Sequence, residues 1–400
     1  MKNFFKITIA ALSALFIFGL GVGAGYGLTH YLNNQKSAIA AETPPDFELF
    51  WEVWNIVEDK FYNGVPQDSK TTTYGAIKGA LAALDDPYTL FVEPKPRELE
   101  RDALNGQFGG IGAYIRREGE GEEKRVVLEP MVDSPAEKAG MQKGDVLLQV
   151  DDAPITPEMT TDEIVLLIRG DVGTQVILVV SRNDNPVTLT IERAIIETPS
   201  VTWRILEDNP DIGYIKIHLF SNRSGKELDR AIAELSEAGA KKYILDLRGN
   251  GGGLLEAAID VSSAFLDDGL VLKENRRGEE PQTYKVRRRD HKLLTQPLVV
   301  LVDGGSASAS EITAGALQDH NRAPLIGERT YGKGSVQLVY DLSDQSSLHV
   351  TVAKWFTPAG HSIDGVGLTP DIEVLFTEED HKEGRDPQFQ RALEYLQNLE

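Results

Sequence analysis

The sequence predicts a multidomain α/β protein in which a membrane anchor and a helical segment precede a β-rich module and an α/β core. Three patterns support this prediction. Residues 4–28 form an apolar run, residues 98–195 contain short apolar strands separated by glycine-rich turns, and strand-like and helix-like segments alternate between 212 and 319. The predicted divisions are 1–43, 44–97, 98–195, 196–375 and a polar helical tail at 376–400.

The apolar run is long enough to span a bilayer, and Lys2 and Lys6 at its start favour a cytoplasmic N-terminus. We therefore expect a membrane-anchored body outside the cytoplasm, in a bacterial periplasm or cell envelope. A cleavable signal is the alternative, because Ala38-Ile39-Ala40 has the A-x-A pattern of a cleavage site. This pattern lies far beyond the run, so the uncleaved anchor is preferred, and a secreted form stays open.

The segment 44–97 has helical periodicity. Aromatic and aliphatic residues recur at helical spacing between Phe47 and Val57, and Tyr74–Leu84 repeats the pattern. Such an aromatic stripe is typical of core packing. Contact with a second subunit, in a homo-oligomer, is the other interpretation.

The module 98–195 begins with a strand behind the glycine-rich loop Gly110-Ile111-Gly112-Ala113. A short helix is predicted at Ser134–Gly140 and a longer one at Thr161–Arg169. The segments Gln175–Ser181 and Val187–Ile191 have the alternation of a β-hairpin.

The core alternates strands and helices, which is typical of an α/β fold. The predicted strands are Ile212–Leu219, Tyr243–Leu247, Leu298–Val302, Pro324–Gly327 and Leu348–Trp355. The predicted helices are Lys226–Ala238, Leu254–Leu266, Ser308–Asp319 and Gln388–Leu399.

The stretch Gly304–Gln337 combines a serine cluster at a helix start, a glycine-flanked lysine and a glutamine. A serine at a strand-to-helix turn lies beside unpaired amides and the positive end of the helix dipole. A lysine acts as a base only when neutral, so the pKa of Lys333 must fall to roughly 7–8. Burial can supply that shift, and the neutral amide of Gln337 can hold the amine without favouring its charged form.

Other chemistries fit the sequence less well. Gly327–Lys333 nearly matches a phosphate-binding loop, but Gly334 replaces the required hydroxyl residue. The seven histidines are scattered, and there is no cysteine, so we expect no metal site and no cofactor. A formal charge of −21 argues against nucleic-acid binding.

The strings SASASE and GERTYGKGSVQ resemble the signature of the carboxyl-terminal processing proteases, which are serine endopeptidases with a PDZ domain. The resemblance implies Ser308 as the nucleophile, Lys333 as the base and Gln337 as its orienting partner. The string DLRGNGGG, from Asp246, matches a second family motif, and Asp86-Pro87-Tyr88-Thr89 matches a third. By the same resemblance, the amides of Gly253 and Ala309 form the oxyanion hole, although Gly252 is an alternative donor.

The order of elements in 98–195 also resembles a PDZ domain, with Gly110-Ile111-Gly112-Ala113 in place of the carboxylate-binding loop. Such a loop captures a peptide C-terminus with backbone amides while the peptide adds a strand. The resemblance therefore implies protein substrates with accessible, hydrophobic C-termini. A non-catalytic PDZ scaffold tethered to the membrane is the alternative function.

Arg169 ends the helix predicted at Thr161–Arg169. One interpretation is a charge that caps the helix C-terminus. The other is a gating residue that contacts the protease core when a tail binds the PDZ domain.

Overall fold

The computed structural model describes residues 46–119, 124–289 and 292–399. The predicted anchor, 4–28, and the Ala38-Ile39-Ala40 pattern lie outside these residues. Among the described residues, no helix has both the length and the apolar character needed to cross a membrane. The described residues divide into two units, and the division falls between Thr73 and Tyr74.

The helices are α1 (Phe47–Lys60), α2 (Ser69–Ala82), α3 (Pro94–Asn105), α4 (Pro135–Lys138), α5 (Thr161–Ile168), α6 (Ser224–Glu237), α7 (Leu255–Ser263), α8 (Ala309–Asp319), α9 (Glu378–Glu383) and α10 (Pro387–Gln397). The strands of the first half are β1 (Leu90–Val92), β2 (Gln107–Gly110), β3 (Ala113–Glu118), β4 (Arg125–Pro130), β5 (Asp145–Val150), β6 (Ala153–Pro154), β7 (Gln175–Arg182), β8 (Asn185–Glu192) and β9 (Ala194–Glu197). Those of the second half are β10 (Val201–Leu206), β11 (Asn209–Ile217), β12 (Lys242–Asp246), β13 (Leu270–Arg276), β14 (Gln282–Lys285), β15 (Leu298–Val302), β16 (Leu325–Gly327), β17 (Ser335–Asp341), β18 (Ser347–Phe356) and β19 (Ile372–Glu373).

Helix α1 keeps its aromatic stripe at the surface. Phe47 and Trp51 are 42% and 55% exposed, and the rings of Phe47 and Phe50 stack with their centroids 5.2 Å apart. The helix has no buried residue. The core packing predicted for this stripe is therefore wrong for the described residues.

The β-rich module forms a sheet in the order β3-β4-β5-β7-β8, and β6 pairs with β5. Its apolar residues alternate along the strands, and Leu128, Ile164, Val176 and Leu178 are fully buried in a core of their own. Strand β3 is an edge strand of this sheet. The strands β2 and β9 pair antiparallel outside the sheet, from Gln107↔Glu197 to Gly110↔Ala194.

The α/β core is built on a six-stranded sheet in the order β10-β11-β12-β15-β16-β19. The strands β11, β12, β15, β16 and β19 are parallel, and β10 is antiparallel to β11. Because β12 and β15 are neighbours, their carboxyl ends bring the loops after Asp246 and Val302 together. That edge of the sheet carries the predicted serine and the DLRGNGGG motif.

Two layers cover this sheet. Helices α6, α7 and α8 contribute Leu228, Ala258 and Leu317 to the main apolar cluster. On the other face, α10 contributes Ala392 and Leu396, which pack with Ile244 and Leu301. The predicted polar tail at 376–400 therefore supplies part of the core.

A second sheet positions the lysine loop. In it β18 pairs with β17 along its length and with β1 and β13 on its other side. The β17–β18 register shifts between Val336 and Gln337, where a β-bulge is inserted. Strand β17 begins two residues after Lys333, so the lysine lies in the loop before the strand.

Candidate active site

Ser308 lies between the turn after β15 and the first residue of α8. It is a non-glycine residue with φ +53° and ψ −112°, and such conformations cost about 1–3 kcal/mol. Its backbone N–H donates to Glu311 Oε2 at 2.8 Å. The predicted helix start at Ser308 is thus one residue early, and Ser308 is the N-terminal capping residue.

The two flanking serines have structural partners. Ser306 Oγ donates to Leu247 O at 2.9 Å, and Ser310 Oγ donates to Asn250 O at 2.8 Å. Both serines are fully buried, whereas Ser308 is partly exposed. Ser308 Oγ, at the N-terminal cap of α8, makes no hydrogen bond to another side chain of the described residues. Of the three serines, Ser308 is the one that lines the cavity described below.

Lys333 is fixed by its backbone. Its N–H donates to Glu311 Oε2 at 2.9 Å, and its carbonyl accepts from Trp355 Nε1 at 2.9 Å. Its Nζ lies over the ring of Tyr88, 4.9 Å from the centroid. Tyr88 belongs to the turn in which Asp86 accepts from Thr89 Oγ1 at 2.6 Å.

The pKa of Lys333 is lowered, and the largest cause is desolvation by burial. Three carboxylates, Glu100, Asp86 and Glu311, act against it by stabilising the ammonium ion. The amine therefore has carboxylates near it as well as the neutral amide of Gln337. Burial outweighs their attraction, so the shift still favours the neutral amine.

Glu311 connects the serine and the lysine. It is fully buried, and each carboxylate oxygen accepts two hydrogen bonds. Oε2 accepts from the N–H groups of Ser308 and Lys333, while Oε1 accepts from Thr330 Oγ1 at 2.6 Å and Gly332 N at 2.7 Å. One carboxylate oxygen thus sets the distance between the backbones of the two predicted catalytic residues.

Gln337 has different partners from those expected. Its Nε2 donates to Ser335 Oγ at 2.8 Å and to Thr351 Oγ1 at 3.2 Å. No hydrogen bond in the described part of the chain joins Gln337 to Lys333. The structure brings the amide to the same cavity as the lysine, without the direct contact that the predicted role requires.

These side chains line one cavity of about 480 Å³. Its polar surface includes Ser308, Lys333, Gln337, Glu100 and His349. Its apolar surface includes Ala103, Leu104, Leu219, Leu254, Ile312, Val339 and Trp355. A cavity with a few polar groups on an apolar lining is typical of a site that binds an organic chain.

The candidate oxyanion donors Gly252, Gly253 and Ala309 all line the same cavity. Gly252 packs so closely on the serine turn that a Cβ there would lie 2.8 Å from Ala307 O and 2.9 Å from Ser308 Cβ. Gly252 N donates to Asn250 Oδ1 at 2.8 Å. The N–H groups of Gly253 and Ala309 have no partner among the described residues. Of the two glycine amides, the geometry therefore favours Gly253.

The predicted peptide loop lines a second cavity, of about 250 Å³, between β3 and α5. Gly110, Ile111, Gly112 and Ala113 all line it, together with Thr161, Val165 and Ile168. The carbonyls of Ile111 and Gly112 accept from Ala136 N and Met131 N, which fixes the loop. Since β3 is an edge strand, its outer side can accept an added peptide strand.

Arg169 lies at one end of this groove. Helix α5 ends at Ile168, and Arg169 follows it in an extended conformation. One interpretation of Arg169 is a charge that caps the C-terminus of this helix. In the structure Arg193 has that role, since its Nε donates to Ile168 O at 2.8 Å. The Arg169 guanidinium stacks over the Phe108 ring at 3.7 Å, and its Nη1 lies 3.5 Å from Asp102 Oδ2 on α3.

The sequence assigned no role to five residues around the site. Tyr88, Asn250 and Glu311 lie in the quoted family strings, whereas Glu100 and His349 lie in none of them. For Glu311 the sequence does contain a signal, because a serine followed three residues later by a glutamate is the spacing of a helix capping box. The others face the site because of contacts between distant segments, which local patterns do not contain.

Comparisons with known proteins agree with this architecture. Residues 211–374 match the model of peptidase family S41, and residues 126–182 match a PDZ domain. The chain is 34% identical to the carboxyl-terminal-processing protease of Synechocystis over 92% of this chain and 91% of the relative. It is 36% identical to the carboxy-terminal processing protease of Bacillus subtilis, over 94% and 77% of the two chains. A structure from Bacteroides fragilis assigned to the S41 proteases shares the fold, with a TM-score of 0.55, 17% identity and coverage of 90% and 99%.

Proposed function

Because this chain belongs to peptidase family S41 and carries a PDZ domain, we propose that it cleaves proteins selected by their C-terminal tails, with Ser308 as the nucleophile and Lys333 as the base. That it is a serine-type C-terminal processing endopeptidase follows from the family. The residues, the tail recognition and the location outside the cytoplasm are the proposed part.

The observation that supports the roles of Ser308 and Lys333 is the hydrogen bonding of both backbones to Glu311. The backbones of Ser308 and Lys333 share its Oε2, and both residues line the cavity that Gly253 and Ala309 also line. A nucleophile, a base with a lowered pKa and two amide donors are the groups that acyl transfer requires.

The reaction then proceeds in two halves. Lys333 Nζ takes the proton of Ser308 Oγ as the oxygen attacks the scissile carbonyl carbon, and the oxyanion accepts from Gly253 N and Ala309 N. The ammonium ion returns the proton to the leaving amine as the C–N bond breaks. Water then hydrolyses the ester, again with Lys333 as the base. Gln337 acts at this site once its amide turns from Ser335 and Thr351 towards the amine.

The PDZ groove supplies the substrate. A hydrophobic tail adds a strand to β3, and its carboxylate accepts from the N–H groups of the 110–113 loop. The negatively charged body offers no general basic surface to a membrane, so attachment there depends on residues 4–28. The proposed location is therefore the periplasm or cell envelope.

The test compares the full chain with Ser308→Ala and Lys333→Arg on a denatured protein that ends in an apolar tail. Arginine stays protonated in proteins and cannot accept the serine proton. Both variants should fold and bind the tail without cleaving the substrate. Near wild-type turnover by Lys333→Arg would overturn the assignment of the base.

Arg169 is the proposed link between the groove and the site. Its neighbour Asp102 lies on α3, and the same helix places Glu100, Ala103 and Leu104 in the active-site cavity. Arg169 Nε and Nη1 are buried without a hydrogen-bond partner among the described residues. A tail bound beside Arg169 therefore acts on α3, rather than directly on the protease core as the sequence suggested.

Arg169→Ala should lower cleavage of tailed substrates and abolish stimulation by a tail peptide added in trans, with tail affinity changed only a few-fold. Coupling of this kind is typically about 5–150-fold. Arg193→Ala is the control, since it removes the helix cap and should lower PDZ stability while the folded fraction keeps its stimulation. Full stimulation of Arg169→Ala would contradict the proposed link.

A further inference from the structure

The C-terminal segment reaches the active-site edge of the sheet through buried polar contacts. Helix α10 begins at Pro387, beyond the S41 match at 211–374. Asp386, which caps it, accepts from Phe389 N at 2.9 Å. Gln388 is fully buried, and its Nε2 donates to Val374 O at 3.0 Å. Both side chains have an oxygen directed at the same guanidinium.

That guanidinium belongs to Arg248, in the DLRGNGGG motif. Its Nη1 donates to Asp386 Oδ1 at 2.8 Å and to Gln388 Oε1 at 3.1 Å. Its Nε and Nη2 donate to the two oxygens of Asp246, at 3.0 and 2.8 Å. The side chains of Arg248 and Asp246 are 12% and 0% exposed, whereas that of Asp386 is 37% exposed. Loss of the buried acceptor Gln388 Oε1 would leave an Arg248 N–H without its partner, and loss of Asp386 would replace a fixed charged acceptor by solvent.

Arg248 opens the loop that ends at Gly253. The next residues are held by further contacts, since Asn250 Nδ2 donates to Ile217 O at 2.8 Å and Asn250 Oδ1 accepts from Gly252 N. The loop is therefore fixed at its start by Arg248 and at its middle by Asn250. Gly253, at its far end, lines the cavity.

We propose that Asp386 and Gln388 are positioning residues for the oxyanion hole and act through Arg248 on the loop that carries Gly253. This inference rests on the proposed function, in which Gly253 N stabilises the oxyanion. The C-terminal segment then contributes to transition-state stabilisation without contacting the substrate.

The experiment uses the full chain with Asp386→Ala and, separately, Gln388→Leu. Each removes one acceptor of Arg248 Nη1, and Gln388→Leu leaves the helix cap intact. We expect kcat to fall roughly 10-fold, less than the 10²–10³ that follows removal of an oxyanion donor. KM should change little. Inhibition by a peptide aldehyde, whose adduct on Ser308 places an oxyanion in the hole, should weaken in parallel with kcat.

Two further variants separate positioning from stability. Asp386→Asn keeps an oxygen that can accept from Arg248 and Phe389, so it should restore most of kcat. Arg385→Ala removes an ion pair with Asp380 on the same segment and should leave kcat and aldehyde inhibition unchanged. Unfolding in urea gives the folded fraction of each variant.

Wild-type kcat and aldehyde inhibition in folded Asp386→Ala and Gln388→Leu would overturn the inference. So would a loss of kcat that equals the loss of folded protein. Ser308→Ala distinguishes this outcome from failure of the proposed function. If Ser308→Ala still cleaves, the assigned nucleophile is wrong, whereas an inactive Ser308→Ala beside normal Asp386 and Gln388 variants refutes the positioning role alone.

Discussion

Glu311→Gln tests whether one carboxylate holds the backbones of Ser308 and Lys333 at a fixed distance. The substitution keeps the size of the side chain but replaces an oxygen that accepts two hydrogen bonds with an NH₂ group that accepts none. If the NH₂ takes the place of Oε2, the N–H groups of Ser308 and Lys333 both lose their acceptor. If it takes the place of Oε1, Gly332 N loses its acceptor, and the Thr330 hydroxyl can rotate to accept.

The expected loss of stability follows from the number of hydrogen bonds that the substitution removes. Hydrogen bonds to a charged group are worth about 1.5–3 kcal/mol each. One or two lost bonds therefore lower the free energy of unfolding by about 1.5–6 kcal/mol. The catalytic effect should be larger than the fraction unfolded explains, because a shift of about 1 Å between reacting groups can cost on the order of 100-fold in rate.

The assay measures kcat and KM on a tailed substrate and unfolding in urea for the same preparations. Glu274→Gln is the matched control, since Glu274 is also fully buried and accepts from Arg276 Nε and Tyr284 Oη. It should lose stability and keep kcat. Equal losses of kcat in the two variants, at equal folded fractions, would refute the proposed role of Glu311.

Two further predictions concern the base and the oxyanion donor. Activity should fall as the pH drops through the lowered pKa of Lys333. Glu100→Gln should move this acid limb of the pH–rate profile to lower pH, because it removes a charge that stabilises the ammonium ion. The exposed Glu98→Gln on the same helix is the control and should leave the limb unmoved, and an unmoved limb in Glu100→Gln would contradict the prediction. Gly253→Ala should lower kcat on the order of 100-fold, because φ is +137° and a Cβ would lie 2.2 Å from Phe220 O. Gly251→Ala, which has space for a methyl group, should retain most of the rate, and similar rates for both variants would argue against Gly253.

Much of the α/β core could be predicted because its signals are local. The strand Leu298–Val302 has the predicted bounds, since a short apolar run rich in β-branched residues is typical of a buried strand. The family and the PDZ domain are confirmed by the comparisons. The roles of Ser308, Lys333, Gln337 and Arg169 stay predictions.

The missed features depend on contacts between distant segments. The predicted module boundary at residue 98 lies inside α3, Pro94–Asn105, a helix with few apolar residues. The polar composition after residue 376 hides the apolar face of α10. The SASASE string contains the Ser308–Glu311 spacing of a capping box, but the bonds of Glu311 to Thr330 and Gly332 come from a loop about twenty residues away.

The PDZ module has one apolar cluster, which shares no residue with the two clusters on the faces of the protease sheet. Burial of apolar surface drives cooperative unfolding, so a cluster of its own favours a PDZ module that opens as a separate cooperative unit. The free energy of opening the PDZ module can then be smaller than that of the core. The PDZ module can then open while the bonds around Glu311 stay intact, and a mutation that destabilises the PDZ module can leave the protease core folded.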